Sequence, residues 1–193
     1  MFFVGIDLAG SDKRPTGFCV MNEKLEVKTY VLYKDKEIIK EVKKVKPKVI
    51  GIDAPLSLPL GRKSLEINNG IHFRECDKEL RKLKIKFFPI TLGPMRSLTK
   101  RGIKLKKKLK DFKVIEVYPG GAQDVLKIPR KSKGLKKLSR GLKKLGIKGI
   151  RNNSTGDELD AITAAYVAKL YYDNNYTALG NPKEGLIIMP KLK

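Results

Sequence analysis

Residues 2–9 read Phe-Phe-Val-Gly-Ile-Asp-Leu-Ala, and residues 48–55 read Lys-Val-Ile-Gly-Ile-Asp-Ala-Pro. Each segment is apolar at nearly every position before its aspartate, which is typical of a parallel strand buried on both faces. Between them, apolar residues recur at helical spacing over residues 35–45, and Pro47 ends the predicted helix. This order of strand, helix and strand predicts a right-handed crossover that pairs the two strands in parallel.

The repeated Gly-Ile-Asp places Asp7 and Asp53 in the same setting, near the carboxyl ends of the two strands. Neighbouring strands lie about 4.8 Å apart, so aspartates in equivalent phase would have adjacent carboxylates. Two such anions repel each other, and each raises the pKa of the other. A divalent cation would offset the repulsion. Hard Mg²⁺ or Mn²⁺ prefers oxygen ligands, which suits a chain with one histidine.

The remaining patterns predict an α/β fold with a mixed sheet of five strands, three antiparallel followed by two parallel, flanked by helices. Residues 16–21 and 25–33 would follow the first strand as antiparallel strands, and residues 113–119 would add a buried parallel one. Helices are predicted over residues 75–83, 95–112, 132–146 and 156–172, with a final short strand over 186–189. The length suits a single domain spanning residues 1–193.

The chain carries a net charge of +23, and its excess of basic residues is concentrated in one segment. Residues 100–148 hold 18 of the 43 lysines and arginines but only three acids. A basic helical segment at about 95–148 favours a polyanionic partner such as a phosphate backbone. The alternative is that the lysines reflect an AT-rich genome or adaptation to heat and form solvated surfaces.

Three further acids extend the candidate site. Glu116 interrupts the apolar strand at 113–119, and Asp157 and Asp160 stand three residues apart on one face of the predicted helix at 156–172. That face would bring one or two carboxylates to the strand aspartates. Each acid also has an ordinary structural alternative: Asp157 suits the positive end of the helix dipole, and a strand-end acid can face solvent. The neighbouring Glu158 fits a capping box with Thr155.

Together these blocks are similar to a known family. An aspartate on the first strand, an acid on the parallel fourth strand and Asp-Glu-x-Asp-Ala on a late helix resemble the RNase H-like fold, and the last motif is similar to that of RuvC-type Holliday-junction resolvases. The chain most closely resembles the predicted RNase H-like nucleases called domain of unknown function family 429. The matching blocks are residues 5–9, 51–55, 72–77, 116–119 and 157–161.

The resemblance implies a nuclease that hydrolyses phosphodiester bonds with two Mg²⁺ or Mn²⁺ ions. Asp7, Asp53 and Asp160 would hold the metal, and Asp157 or Glu116 would complete the set. Resolvase-like activity would also require a two-fold homodimer.

Basic side chains are the candidates for holding the substrate. Arg74 either forms a local ion pair with Asp77 or faces the acidic cluster or a phosphate. Lysines of the basic helices would hold the nucleic-acid backbone without reading its sequence; the candidates are Lys106, Lys107, Lys136 and Lys137.

Two other functions remain open. One is a nucleic-acid-binding protein that keeps the fold without catalysis, and the other is a nucleotide- or phosphate-ester-handling enzyme of the actin type. No apolar stretch approaches the roughly 18 residues of a membrane span, and the start of the chain lacks the basic region of a signal peptide. With only two cysteines, not spaced as metal ligands, we expect a cytoplasmic protein with no membrane partner.

Overall fold

The computed structural model describes residues 1–192, and its centre is one mixed β-sheet. The strands are β1 (Phe2–Asp7), β2 (Thr16–Asn22), β3 (Val27–Leu32), β4 (Val49–Asp53), β5 (Val114–Val117), β6 (Tyr176–Asn181) and β7 (Gly185–Pro190). Their order is β3-β2-β1-β4-β5-β7-β6. The first three strands are antiparallel, and β4 and β5 continue the sheet in parallel, which confirms the predicted pairing.

The described part of the chain has seven strands in this sheet, so the predicted count of five is wrong. β7 pairs in parallel with β5 and contains the predicted final strand, whereas β6 pairs antiparallel with β7 and forms the sheet edge. Only Leu179 of β6 is fully buried. An edge strand with one buried residue lacks the apolar alternation by which strands are recognised in a sequence.

The helices are α1 (Asp35–Val45), α2 (Glu75–Lys82), α3 (Gly93–Lys108), α4 (Pro119–Val125), α5 (Leu135–Lys144) and α6 (Gly156–Tyr172). α1 and α6 have the predicted bounds, while α3 ends at Lys108, short of the predicted residue 112. α4 is an additional helix, and Pro119 at its first turn supplies a φ already suited to a helix start. None of the helices in residues 1–192 combines the length and apolar character needed to cross a bilayer.

The two basic helices lie on opposite faces of the sheet. Leu105 and Leu109 at the end of α3 pack with α1 and the apolar side chains of β1 and β4. Leu138 and Leu142 of α5 pack into the other core, which contains α6. The basic segment at 95–148 therefore divides into two separate surfaces, with β5 and α4 between them in the chain.

Two glycines allow α6 to lie directly on the sheet. Gly5 and Gly51 are register partners on β1 and β4. A Cβ at Gly5 would lie 2.0 Å from the carbonyl oxygen of Ala161, and one at Gly51 would lie 2.5 Å from that of Ala164. Side chains two residues apart on a strand face the same side, so each Gly-Ile-Asp first admits the helix backbone and then presents a carboxylate beside it.

Candidate metal centre

Three carboxylates from three separate elements converge at the carboxyl ends of the central strands. Asp7 ends β1, Asp53 ends β4, and the two are direct register partners. Asp160 comes from the first turns of α6, which the close packing on Gly5 and Gly51 brings over the same edge. One carboxylate oxygen of each residue lies within 4.8 Å of those of the other two.

Lys131 lies among these acids. It belongs to a short 3-10 turn, Lys131–Lys133, that precedes α5. Its Nζ is 2.7 Å from Asp160 Oδ2, 3.5 Å from Asp7 Oδ2 and 3.8 Å from Asp157 Oδ1. The ammonium thus partly neutralises the cluster. In the sequence Lys131 is one of 18 basic residues in its segment, so no local pattern singles it out.

Gln123 fixes the orientation of Asp160. Its Nε2 donates hydrogen bonds to Asp160 Oδ1 at 2.7 Å and to Thr163 Oγ1 at 3.1 Å, and the amide is buried. Gln123 is carried by α4, the helix that the sequence patterns do not predict. It is also the only glutamine of the chain. Asp160 is therefore held through one oxygen by Gln123 and through the other by Lys131.

Burial and mutual repulsion dominate the electrostatics of the strand aspartates. Burial raises the pKa of the Asp7 carboxyl to about 7; Lys131 opposes the rise, and Asp160 and Asp157 add to it. Burial likewise raises the pKa of Asp53 well above its usual range, with Asp7 and Asp160 adding to the effect. Burial disfavours the Lys131 ammonium, but Asp7 and Asp160 outweigh this and raise its pKa.

The donor set fits a hard divalent cation. Asp7 Oδ2 is buried and finds no hydrogen-bond partner within residues 1–192, since Lys131 Nζ at 3.5 Å is too distant for a good hydrogen bond. A buried anionic oxygen without a donor is costly unless a cation neutralises it. All three ligand candidates offer carboxylate oxygen, the donor that Mg²⁺ and Mn²⁺ prefer.

The metal-free protein should lose stability as the pH rises from about 4 to 7. Asp7 has a raised pKa of about 7 in the folded chain against an ordinary value of 3.8, so between these values the folded state holds a proton that the unfolded state has released. Thermal unfolding in a chelator across this range measures the loss. Asp7→Asn should make the profile shallower, with Asp53 accounting for the remaining slope, and parallel profiles for the variant and the wild type would contradict the assignment.

Glu116 does not join the three aspartates. It is the register partner of Ile52, not of Asp53, and so projects to the face of the sheet that packs against α1 and α3. Its carboxylate accepts hydrogen bonds from both terminal nitrogens of Arg74 at 2.7 Å and from the backbone N–H of Leu56 at 2.7 Å. Glu116 thus binds Arg74 and the Leu56 backbone on the opposite face, and its predicted catalytic role remains a prediction.

Arg74 is likewise held by acidic partners, and its side chain is 2% exposed. Besides Glu116 it binds Asp77 through Nη2 at 3.0 Å and Nε at 3.2 Å. Burial disfavours the guanidinium, but Glu116 and Asp77 outweigh this and hold its pKa above the ordinary value. The ion pair with Asp77, one of the predicted alternatives, is present, and the phosphate contact of Arg74 remains a prediction.

The other candidate residues lie at the margin of the centre. Asp157 is 37% exposed and approaches the cluster through its 3.8 Å contact with Lys131. Glu158 completes the capping box with Thr155 and also accepts hydrogen bonds from Thr29 and Arg151. The four predicted substrate lysines are exposed on α3 and α5, where their contact with nucleic acid remains a prediction; they are Lys106, Lys107, Lys136 and Lys137.

The comparisons with known proteins agree with this architecture. T. thermophilus RuvC, solved in complex with a Holliday junction substrate, superposes with a TM-score of 0.53 over 94% of this chain and 99% of its own, at 12% identity. That likeness shows an RNase H-like α/β fold. No curated protein sequence matches the chain. The model of the family described as "Protein of unknown function (DUF429)" matches residues 5–184. Since the match spans nearly the whole chain and includes all three converging aspartates, the protein belongs to the DUF429 family.

Proposed function

We propose that this protein is a divalent-metal-dependent nuclease that hydrolyses phosphodiester bonds in nucleic acid. The observation that carries the proposal is the convergence of Asp7, Asp53 and Asp160, from three separate elements, within 4.8 Å. The fold shared with a resolvase solved on a Holliday junction adds support, as does Lys131 of the basic segment, whose ammonium lies 2.7 Å from Asp160.

The chain's own residues would prepare the site for a bound phosphate. Asp7, Asp53 and Asp160 would hold Mg²⁺ or Mn²⁺, with Asp157 at the open side of the cluster. The bound cations would supply the charge that activates water and stabilises the leaving oxygen. Gln123 holds the Asp160 carboxylate in a fixed orientation, and this reduces the reorganisation needed at the site.

The position of the Lys131 ammonium would differ between a nuclease and a protein that only binds nucleic acid. The ammonium already lies between Asp160 and Asp7, where a metal ion would also bind. In a nuclease the ion would displace Lys131 outward, where the lysine is free to contact the substrate phosphate. In a protein that only binds nucleic acid, Lys131 would remain the permanent counter-ion of the acids. Metal binding therefore separates the two functions.

Titration with Mn²⁺, followed by electron paramagnetic resonance, tests the proposal directly. The wild-type protein should bind the ion, Asp53→Asn should lose that binding, and Lys131→Met should bind more tightly because the competing ammonium is gone. In parallel, single strands, duplexes, hybrids and four-way junctions are incubated with Mg²⁺ or with a chelator. Asp111→Asn, which removes an exposed carboxylate before the amino end of β5, is the matched control. A wild-type protein with neither Mn²⁺ binding nor cleavage would refute the nuclease.

A further inference from the structure

A small cavity lies directly beside the acid cluster. It has a volume of about 180 Å³, and Asp53 and the paired Arg74, Asp77 and Glu116 line one part of it. Apolar and aromatic side chains line the rest, among them Phe87, Phe88, Met95 and Tyr118. A cavity of roughly 150 Å³ is large enough to hold one benzene ring. The space is thus of the right size for a single aromatic ring system, and one of its walls is a proposed metal ligand.

Phe88 is a large apolar residue whose side chain is mostly exposed to solvent. Its side chain is 69% accessible, and it stands at the rim shared by this cavity and a second, shallower depression. A phenylalanine that served only to complete the core would be buried, as most large apolar side chains are. Its exposed ring, next to a cavity of ring size, indicates a surface for a planar ligand.

The second depression surrounds the same aromatic residues with positive charge. It is lined by Phe87, Phe88 and Tyr118 and by four basic residues, namely Arg81, Lys84, Lys86 and Arg130. No acid is among its lining residues. Aromatic side chains interleaved with lysine and arginine form the combination that binds single-stranded nucleic acid, because rings stack on bases and cations follow the phosphates.

Polar and aromatic contacts hold this region in place. The Tyr118 hydroxyl donates to the backbone carbonyl of Lys86 at 2.6 Å, and Arg130 Nη1 donates to the same hydroxyl at 3.1 Å. Phe73 packs edge-on against Phe87 with ring centres 6.1 Å apart. A surface ordered before binding loses less conformational entropy when a ligand docks.

We propose that the cavity beside Asp53 receives an unpaired nucleobase, with Phe88 stacking on it, next to the phosphate that a metal ion at the acids would hold. This inference rests on the proposed nuclease function and specifies its substrate class as nucleic acid with an unpaired nucleotide at the cleavage site. A base inside a continuous duplex is stacked and paired, and extracting it costs a few kcal/mol. Single strands and unpaired positions avoid that cost.

Binding without cleavage tests the inference. In a chelator, 12-nucleotide single strands of DNA and RNA carrying one 2-aminopurine are titrated with protein, and the matching duplexes serve as the comparison. Stacking on Phe88 should quench the 2-aminopurine fluorescence. Phe88→Ala should weaken single-strand binding by about 5- to 150-fold, the range expected for one base–aromatic stack, and should leave duplex binding unchanged. Phe88→Tyr should retain the binding.

Ile67→Ala is the matched control, since Ile67 is also 69% exposed but lines neither depression. An equal loss for single strands and duplexes in Phe88→Ala, or no loss at all, would overturn the base-binding site. The two proposals fail separately. Quenching that depends on Phe88 in a protein without metal-dependent cleavage would retain the base site and remove the nuclease. Metal-dependent cleavage that is the same for Phe88→Ala and for paired and unpaired strands would retain the nuclease and remove the base site.

Discussion

Asp7→Asn is expected to reduce metal-dependent cleavage by at least about 1,000-fold, because a carboxylate ligand contributes several kcal/mol of charge stabilisation through the ion it holds. The neutral amide has nearly the same shape, so the sheet and the register with Asp53 should persist. The same change should raise the melting temperature of the metal-free protein at pH 8, since burial raises the pKa of Asp7 to about 7 and disfavours its charged form. Lost activity together with gained stability is the signature of a functional carboxylate.

Initial rates of cleavage with Mg²⁺, and thermal unfolding in a chelator, measure the two effects. Asp160→Asn should lose activity similarly while keeping an oxygen that accepts from Gln123. Asp111→Asn should leave both quantities unchanged, because that carboxylate is exposed and outside the group of three acids. If Asp7→Asn and Asp160→Asn cleaved at the wild-type rate, the acids would have no part in catalysis.

Arg74→Met is expected to destabilise the fold by about 3–5 kcal/mol, the cost of leaving buried carboxylates without their partner. Arg74 is 2% exposed and binds both Glu116 and Asp77, whose side chains are 6% and 3% exposed. Methionine keeps much of the side-chain volume, so the loss measures the missing charge more than a cavity. For a chain of this length the melting temperature should fall by on the order of 10 °C.

The triple variant Arg74→Met, Glu116→Gln, Asp77→Asn provides the control. It removes the cation and both anions together, so no uncompensated buried charge remains and most of the lost stability should return. Urea denaturation of the wild type and both variants gives the comparison. A single variant that lost less than 1 kcal/mol, or a triple variant less stable than the single one, would show that the ion pairs are not what Arg74 contributes.

The local patterns of the chain were sufficient for most of the architecture. The bounds of α1 and α6 follow from apolar spacing, from Pro47 and from the capping box at Thr155 and Glu158. The repeated Gly-Ile-Asp also predicted that Asp7 and Asp53 would be neighbours, because two parallel strands that pair their equivalent residues place both aspartates side by side. β6 could not be recognised, since an edge strand with one buried residue has no apolar alternation.

For Glu116, the sequence did not show which face of the sheet the side chain would occupy. Its apolar neighbours indicated a buried strand, but a shift of one residue in register moves a side chain to the opposite face. The pairing of Glu116 with Ile52 sent its carboxylate to Arg74 instead of to the aspartates. The local ion pair of Arg74 with Asp77 was among the predicted alternatives, but its second partner, Glu116, is 42 residues away in the chain, where no local spacing indicates it.

The sequence by itself determined which strands carry the aspartates and that a late helix would add a third, because these features depend on periodicity and on neighbours in the chain. Only the tertiary structure decided that Lys131 and Gln123 complete the cluster and that a cavity bearing Phe88 opens beside it. Those side chains come from a short turn, an unpredicted helix and a loop. Their convergence is set by how α6 packs on two glycines and by which elements then close around it, and no local pattern records that packing.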